Sequence, residues 1–217
     1  GLPANISIKL TMLGLDISDE LTWENIEAIV QHAARHDAFV RIDMEGSAYT
    51  ERTLALFRRI HDSYPAAVGI VLQSYLYRTD RDLDEMIERK ARVRIVKGAY
   101  KEPDWIAWPK KRDVDERFKQ HILRLLRHGN YPAIATHDER MLRGARGFAA
   151  RNGIGPERFE FQMIYGVRRD LQETLVREGY NMRVYVPYGQ NWYPYFMRRL
   201  AERPANLLFV AKQVLKG

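Results

Sequence analysis

Seven short apolar runs rich in Val, Ile and Phe recur along the chain: "ISIKL" (6–10), "FVRIDM" (39–44), "VGIVLQ" (68–73), "VRIVKG" (93–98), "PAIATH" (132–137), "FEFQM" (159–163) and "MRVYV" (182–186). Their length and β-branched content predict strands. The segments between them change period. "TWENIEAIVQHAARH" (22–36) sets Trp23, Ile26, Val30 and Ala33 three or four residues apart. That spacing places one stripe along a helix, with acids early and His36 late. "ERTLALFRRIHDSY" (51–64) repeats the pattern with Leu54, Phe57 and Ile60. Further helices are predicted over 116–129, 139–153 and 170–179, which stop at Gly129, Gly153 and Gly179.

Strand and helix in regular alternation predict a parallel sheet with crossover helices. No G-x-G-x-x-G follows the first strand and no phosphate-binding P-loop occurs, so a (β/α)8 barrel suits the pattern better than a dinucleotide-binding fold. Seven strands are legible where a barrel needs eight. Buried parallel strands read as almost continuously apolar. Here polar residues interrupt them at period two: Ser7 and Lys9, Arg41 and Asp43, Glu160 and Gln162, Arg183 and Tyr185. Gln73, Lys97 and the Thr136–His137 pair close three more strands. Barrel enzymes carry their chemistry at the C-terminal strand ends, and the site is expected there.

Composition narrows the chemistry. The 217 residues contain no cysteine, which excludes disulfides, thiol catalysis and iron–sulfur clusters, and a reducing compartment such as a bacterial cytoplasm fits. The net charge of +7 would permit an anionic partner, but the basic residues are scattered and no long basic run exists, which argues against nucleic acid. No apolar run reaches the length of a bilayer span. Of six histidines, His32, His36, His61, His121 and His128 fall on predicted helices at no metal-site spacing and read as surface or helix-end residues. Only His137 ends a strand. H-E-x-x-H and G-x-S-x-G are both absent, so a zinc or serine hydrolase is not indicated.

Two stretches remain. In "VRIVKGAY" (93–100), Arg94 and Lys97 run into Gly98 and Ala99, small residues that let a ligand approach the backbone. In "YPYFMRRLAE" (193–202), Arg198 and Arg199 stand side by side. If the segment is helical, Tyr195 shares their face, and two planar guanidiniums match a carboxylate or phosphate.

Together "SIKLTMLGLD", "RIDME", "GIVLQSYLYRT", "VRIVKGAY", "ATHDERM", "FEFQMIYGVR" and "MRVYVPYGQNWYPYFMRRLAERPAN" resemble the proline dehydrogenases, in particular the monofunctional bacterial type. The resemblance covers essentially the whole chain, in order. It implies a distorted (β/α)8 barrel whose last helix lies over the mouth. It also implies N-terminal helices and a first strand ahead of "SIKL", so residues 1–217 read as a single, N-terminally truncated barrel domain with one strand missing. The implied activity is FAD-dependent oxidation of L-proline to Δ1-pyrroline-5-carboxylate. A hydride passes from proline C5 to flavin N5, and a quinone takes the electrons. The implied place is the cytoplasm, with peripheral contact at the inner face of the membrane as a further expectation.

Carried over residue by residue, the resemblance makes Asp43, Arg94 and Lys9 the catalytic group, with Asp43 the counter-charge for Lys9 and Arg94 near flavin N5. Arg198 and Arg199 take the proline carboxylate; Tyr195, Tyr185, Tyr100 and Lys9 line its pocket. Met44, Gln73, Arg94, Lys97, Gly98, Ala99, Thr136, His137, Gln162 and Glu202 match cofactor positions. Glu202 also stands where it can hold the arginine pair. Met163 is placed beside the flavin ring, and Lys110 and Lys111 near the pyrophosphate or ribose arm. The alternative from the residues alone is another barrel enzyme, acting on a phosphorylated or carboxylated small molecule through Lys9 or Lys97.

Overall fold

The computed structural model describes residues 4–189. Seven strands form one sheet: β1 (Asn5–Ile8), β2 (Phe39–Ile42), β3 (Val68–Gln73), β4 (Arg92–Val96), β5 (Ala133–Ala135), β6 (Glu160–Ile164) and β7 (Asn181–Tyr185). They pair in chain order and every pair is parallel. Six α-helices cross between them: α1 (Asp19–Arg35), α2 (Ser47–Ser63), α3 (Thr79–Glu88), α4 (Lys111–His128), α5 (Glu139–Arg151) and α6 (Arg169–Arg177). All seven expected strands are present, and the predicted helices correspond to α1, α2, α4, α5 and α6. The sequence pattern missed α3. Its buried face carries Thr79 and Asp82 beside Leu83 and Met86, so the apolar stripe is broken.

The sheet is curled. Laid flat, β2 and β7 would stand roughly 24 Å apart at the ordinary strand spacing. Yet the Tyr185 hydroxyl on β7 donates to Asp43, just past β2, at 3.2 Å, and Arg94 on β4 donates to Ser7 on β1 at 2.8 Å. The strands therefore wrap around an interior, as in a barrel.

The two faces divide the labour. Outward residues are apolar and pack under the helices: Val40 and Ile42, Val68, Ile70 and Leu72, Val93 and Ile95, Phe161 and Met163. Against them lie Ile26 and Val30 of α1, Leu54, Phe57 and Ile60 of α2, and Phe118, Ile122 and Leu125 of α4, all in one continuous cluster. Burial there drives folding at about 25 cal/mol per Å². Inward residues at the alternate positions are mostly polar, and this extends below the strand ends. Arg41, Glu160 and Arg183 belong to a layer beneath the mouth, with Glu160 held by Arg183 at 3.0–3.1 Å.

Helix ends explain the turns. Ser18 caps α1 by accepting from Leu21 N–H at 3.1 Å, and Asp138 caps α5 by accepting from Arg140 N–H at 3.1 Å. α5 and α6 both finish in a Schellman motif. Gly153 and Gly179 take positive φ, and Ile154 and Tyr180 N–H return to Ala149 and Leu175 carbonyls. Gly129 also ends its helix, but in extended backbone.

Candidate active site

Most of the chemistry stands just beyond the last ladder pair. Lys9, Asp43, Lys97, Thr136 and His137 all follow their strands, which are shorter than the sequence runs suggest. Leaving the ladder frees these side chains to turn over the mouth.

Asp43 is the hub. Its carboxylate accepts from Lys9 Nζ at 2.7 Å, from Arg94 Nη1 at 2.7 Å and from the Tyr185 hydroxyl at 3.2 Å. The expected Lys9–Asp43 pair thus forms, and Arg94 and Tyr185 join it. Arg94 is also fixed by Ser7 and lies 5.4 Å from the Tyr185 ring centre. Its Nε has no hydrogen-bond partner among the described residues, so one buried donor is left for another acceptor. Among the described residues, two cations thus meet on one acid at the ends of β1, β2, β4 and β7.

Other expected site residues are held by the protein itself. Gln73 donates to the Glu45 carbonyl at 2.7 Å, and Gln162 donates to the Glu160 carboxylate. Thr136 Oγ1 accepts from Asp138 N–H at 3.0 Å, and His137 Nε2 accepts from Ile164 N–H at 3.0 Å. Lys97 is clamped between Asp115 at 2.5 Å and Asp138 at 2.8 Å. Asp138 sits well below the usual carboxylate range: hydrogen bonds from Lys97 and Arg140 outweigh the opposing cost of burial. Met44 and Met163 are buried in the sheet–helix core, which gives their side chains a packing role. Ala99 is exposed and Tyr100 half-buried on the same loop. Lys110 and Lys111 are exposed at the start of α4, and Lys111 pairs with Asp115.

Gly98 has φ +114°, and a Cβ there would lie 2.2 Å from the Tyr75 ring. The small residue thus makes room for Tyr75 as well as for any ligand. Tyr75 is buried, which raises its pKa above the ordinary tyrosine value, with Glu102 adding to the rise. Glu102 in turn accepts from Ser47 N–H at 2.7 Å and Ser47 Oγ at 2.5 Å, which ties the loop after β4 to the start of α2. That loop also pairs with the one after β3 through a Leu76–Ala107 bridge.

One histidine corrects the sequence reading. His121 is 1% exposed and lies mid-helix, neither at the surface nor at a helix end, whereas His61 stands in the last turn of α2 as expected but is buried. His121 meets Ser74 at 2.9 Å and Asp80 at 3.2 Å. Burial holds its pKa below the usual histidine value, against the opposing pull of Asp80. The expectations for Tyr195, Arg198, Arg199 and Glu202 lie outside the described residues.

A curled parallel sheet with helices outside and an acid–cation centre over its C-terminal strand ends defines a (β/α)-barrel enzyme. The comparisons fix which one. The family model "Proline dehydrogenase" matches residues 2–212, and the chain belongs to the proline dehydrogenase family. It is 48% identical to proline dehydrogenase 2 of Bacillus subtilis over 99% of its length, spanning 71% of that protein. It is 43% identical to proline dehydrogenase of Deinococcus radiodurans over its whole length, again 71% of the relative. Among solved structures it superposes on proline utilization A of Bdellovibrio bacteriovorus, inactivated by N-propargylglycine, with a TM-score of 0.80 and 27% identity. That match covers 89% of this chain and 24% of the larger one.

Proposed function

We propose that the chain oxidises L-proline to Δ1-pyrroline-5-carboxylate with FAD as its cofactor and a quinone as final electron acceptor. The observation that carries this reading is Asp43 joined at once to Lys9, Arg94 and Tyr185 from different strands. A flavin suits the pocket on chemical grounds: Arg94 Nε is buried with no partner among the described residues, and Arg94 and Lys9 bring two cations to one place. Bound there, a flavin would supply the hydride acceptor for oxidation at proline C5.

Under this reading Arg94 and Lys9 provide the positive field that favours negative charge beside them. Asp43 keeps both in place, because a carboxylate with three donors has little freedom to turn. Tyr185 closes one wall of the proline pocket. The carboxylate of proline goes to Arg198 and Arg199, with Tyr195 against the ring. Gln73, Lys97, Gly98, Ala99, Thr136, His137 and Gln162 lie along the cofactor path; Met44 contributes through its backbone, and Glu202 through the arginine pair. The alternative of a lysine Schiff base is not favoured, since Lys97 is engaged by two carboxylates and Lys9 by one.

The proposed setting is the cytoplasm, with contact at the inner face of the membrane to reach the quinone. Among the described residues no helix is long and apolar enough to cross a membrane. The test is an absorbance spectrum of the purified protein, before and after anaerobic addition of proline. Flavin bands that bleach with proline are expected. A colourless protein, or bands indifferent to proline, overturns the reading.

A further inference from the structure

Arg41 is fully buried on the same face of β2 as Asp43, two residues below it. Its space is made by a neighbour. A Cβ on Gly69 of β3 would lie 2.7 Å from Arg41 Nη1, 2.4 Å from the Arg92 carbonyl and 2.7 Å from Phe39 Cζ. Glycine weakens a strand interior, and there it marks a close approach. The guanidinium lies over the Phe39 ring at 4.8 Å and donates through Nη1 to the Arg92 carbonyl at 2.5 Å. Its Nε and Nη2 have no partner among the described residues, and no acid touches it there. Burial, then Arg94, push its pKa down from the ordinary value, against an opposing pull from Glu160 and Asp43. Arginine starts so high that the cation persists at neutral pH.

The acids inside the sheet are already engaged. Glu160 serves Arg183, and Asp43 serves Lys9 and Arg94. Among the described residues Arg41 is therefore a buried charge with no acid in contact, balanced only by carbonyls and by Glu160 and Asp43 at longer range, which is costly to fold around. An apolar side chain of similar length would fill the same volume at lower cost.

We infer that Arg41 is a positioning residue acting at a distance: a fixed charge beneath the mouth that raises the potential there and favours the reduced, more negative form of the cofactor. The inference rests on the flavin reading above. Its charge is permanent at neutral pH, because arginine keeps its proton in proteins.

The test compares the wild-type protein with Arg41→Met and Arg41→Lys, measuring the flavin reduction potential and stability to urea. Arg41→Met is expected to disfavour reduction about tenfold, which for a two-electron couple is a shift of about 30 mV to more negative potential. Arg41→Lys is expected to restore most of it, and Arg41→Met to be no less stable than wild type. A folded Arg41→Met protein with the wild-type potential overturns the inference. So does one that fails to fold, because Arg41 would then be a structural support. If the wild type holds no flavin, the parent reading fails, and the urea comparison still decides whether Arg41 is a functional cost or a structural prop.

Discussion

Replacing Asp43 by Ala should damage the protein twice. The carboxylate holds two cations and a hydroxyl, and the side chains of Lys9, Arg94 and Asp43 are 17%, 7% and 11% exposed. These are not surface pairs, which contribute only about 0–1 kcal/mol. Removing one partner of a buried pair costs about 3–5 kcal/mol, because the charges left behind are uncompensated. Lys9 is partly exposed, so solvent screens some of the loss and the lower half of that range is expected. With a urea slope of about 2–3 kcal/mol per molar, the unfolding midpoint should fall by roughly 1 M or more. Adding Lys9→Met to Asp43→Ala removes one of the two cations that Asp43 holds. The double variant should recover part of the loss, which gives a coupling of about 0.5–3 kcal/mol. Proline turnover should drop in Asp43→Ala independently of stability, measured at a urea-free temperature where the variant is folded. An unfolding midpoint within experimental error of wild type, together with normal turnover, would show that the Asp43 hub neither supports nor serves the site.

Other perturbations read single contacts. Gly98→Ala meets both a positive φ and the Tyr75 ring, and should cost about 2 kcal/mol or more by chemical denaturation; a neutral result would mean that Tyr75 swings away freely. His121 has its folded-state pKa below its unfolded value, so the unfolded chain binds the extra proton first and stability falls as pH drops below about 6.5. Part of that acid loss should vanish in His121→Asn, and a thermal-melt series from pH 8 to 5 that is parallel for the two proteins would refute it, with His61 contributing the remainder. Arg198→Met or Arg199→Met should weaken apparent proline affinity roughly tenfold or more, from the loss of about 1.5–3 kcal/mol of charged hydrogen bonding, while flavin content stays constant. Unchanged proline dependence in both variants removes the arginines from the site.

The strands were readable because period-two alternation survives tertiary context, and the Lys9–Asp43 pair because a lysine facing a barrel interior needs an acid. Other features depend on partners far apart in the chain. Ser74, Asp80 and His121 meet across 41 to 47 residues, and a single histidine on a helix carries no sign of that. Lys97 gave no hint that Asp115 and Asp138 would hold it. Gly69 did carry a signal: a lone glycine inside "VGIVLQ" points to a close backbone approach, but the intruder, Arg41, comes from the adjacent strand. α3 escaped because Asp82, bound by Arg78 at 2.6 Å, occupies a buried position that pattern reading reserves for apolar residues.

The alternation of faces on the curled sheet carries a consequence for how such a chain can vary. Neighbouring residues on one strand answer to different demands: Ile42 to the packed shell, Arg41 and Asp43 to the interior. Substitutions that tune chemistry can therefore accumulate beside substitutions that tune stability without interfering. The same arrangement forbids a change of length within a strand. Inserting or deleting one residue there would exchange the two faces, delivering charge to the helix layer and hydrocarbon to the mouth. Insertions and deletions in this lineage should fall in the connections, and the strands should differ by replacement alone.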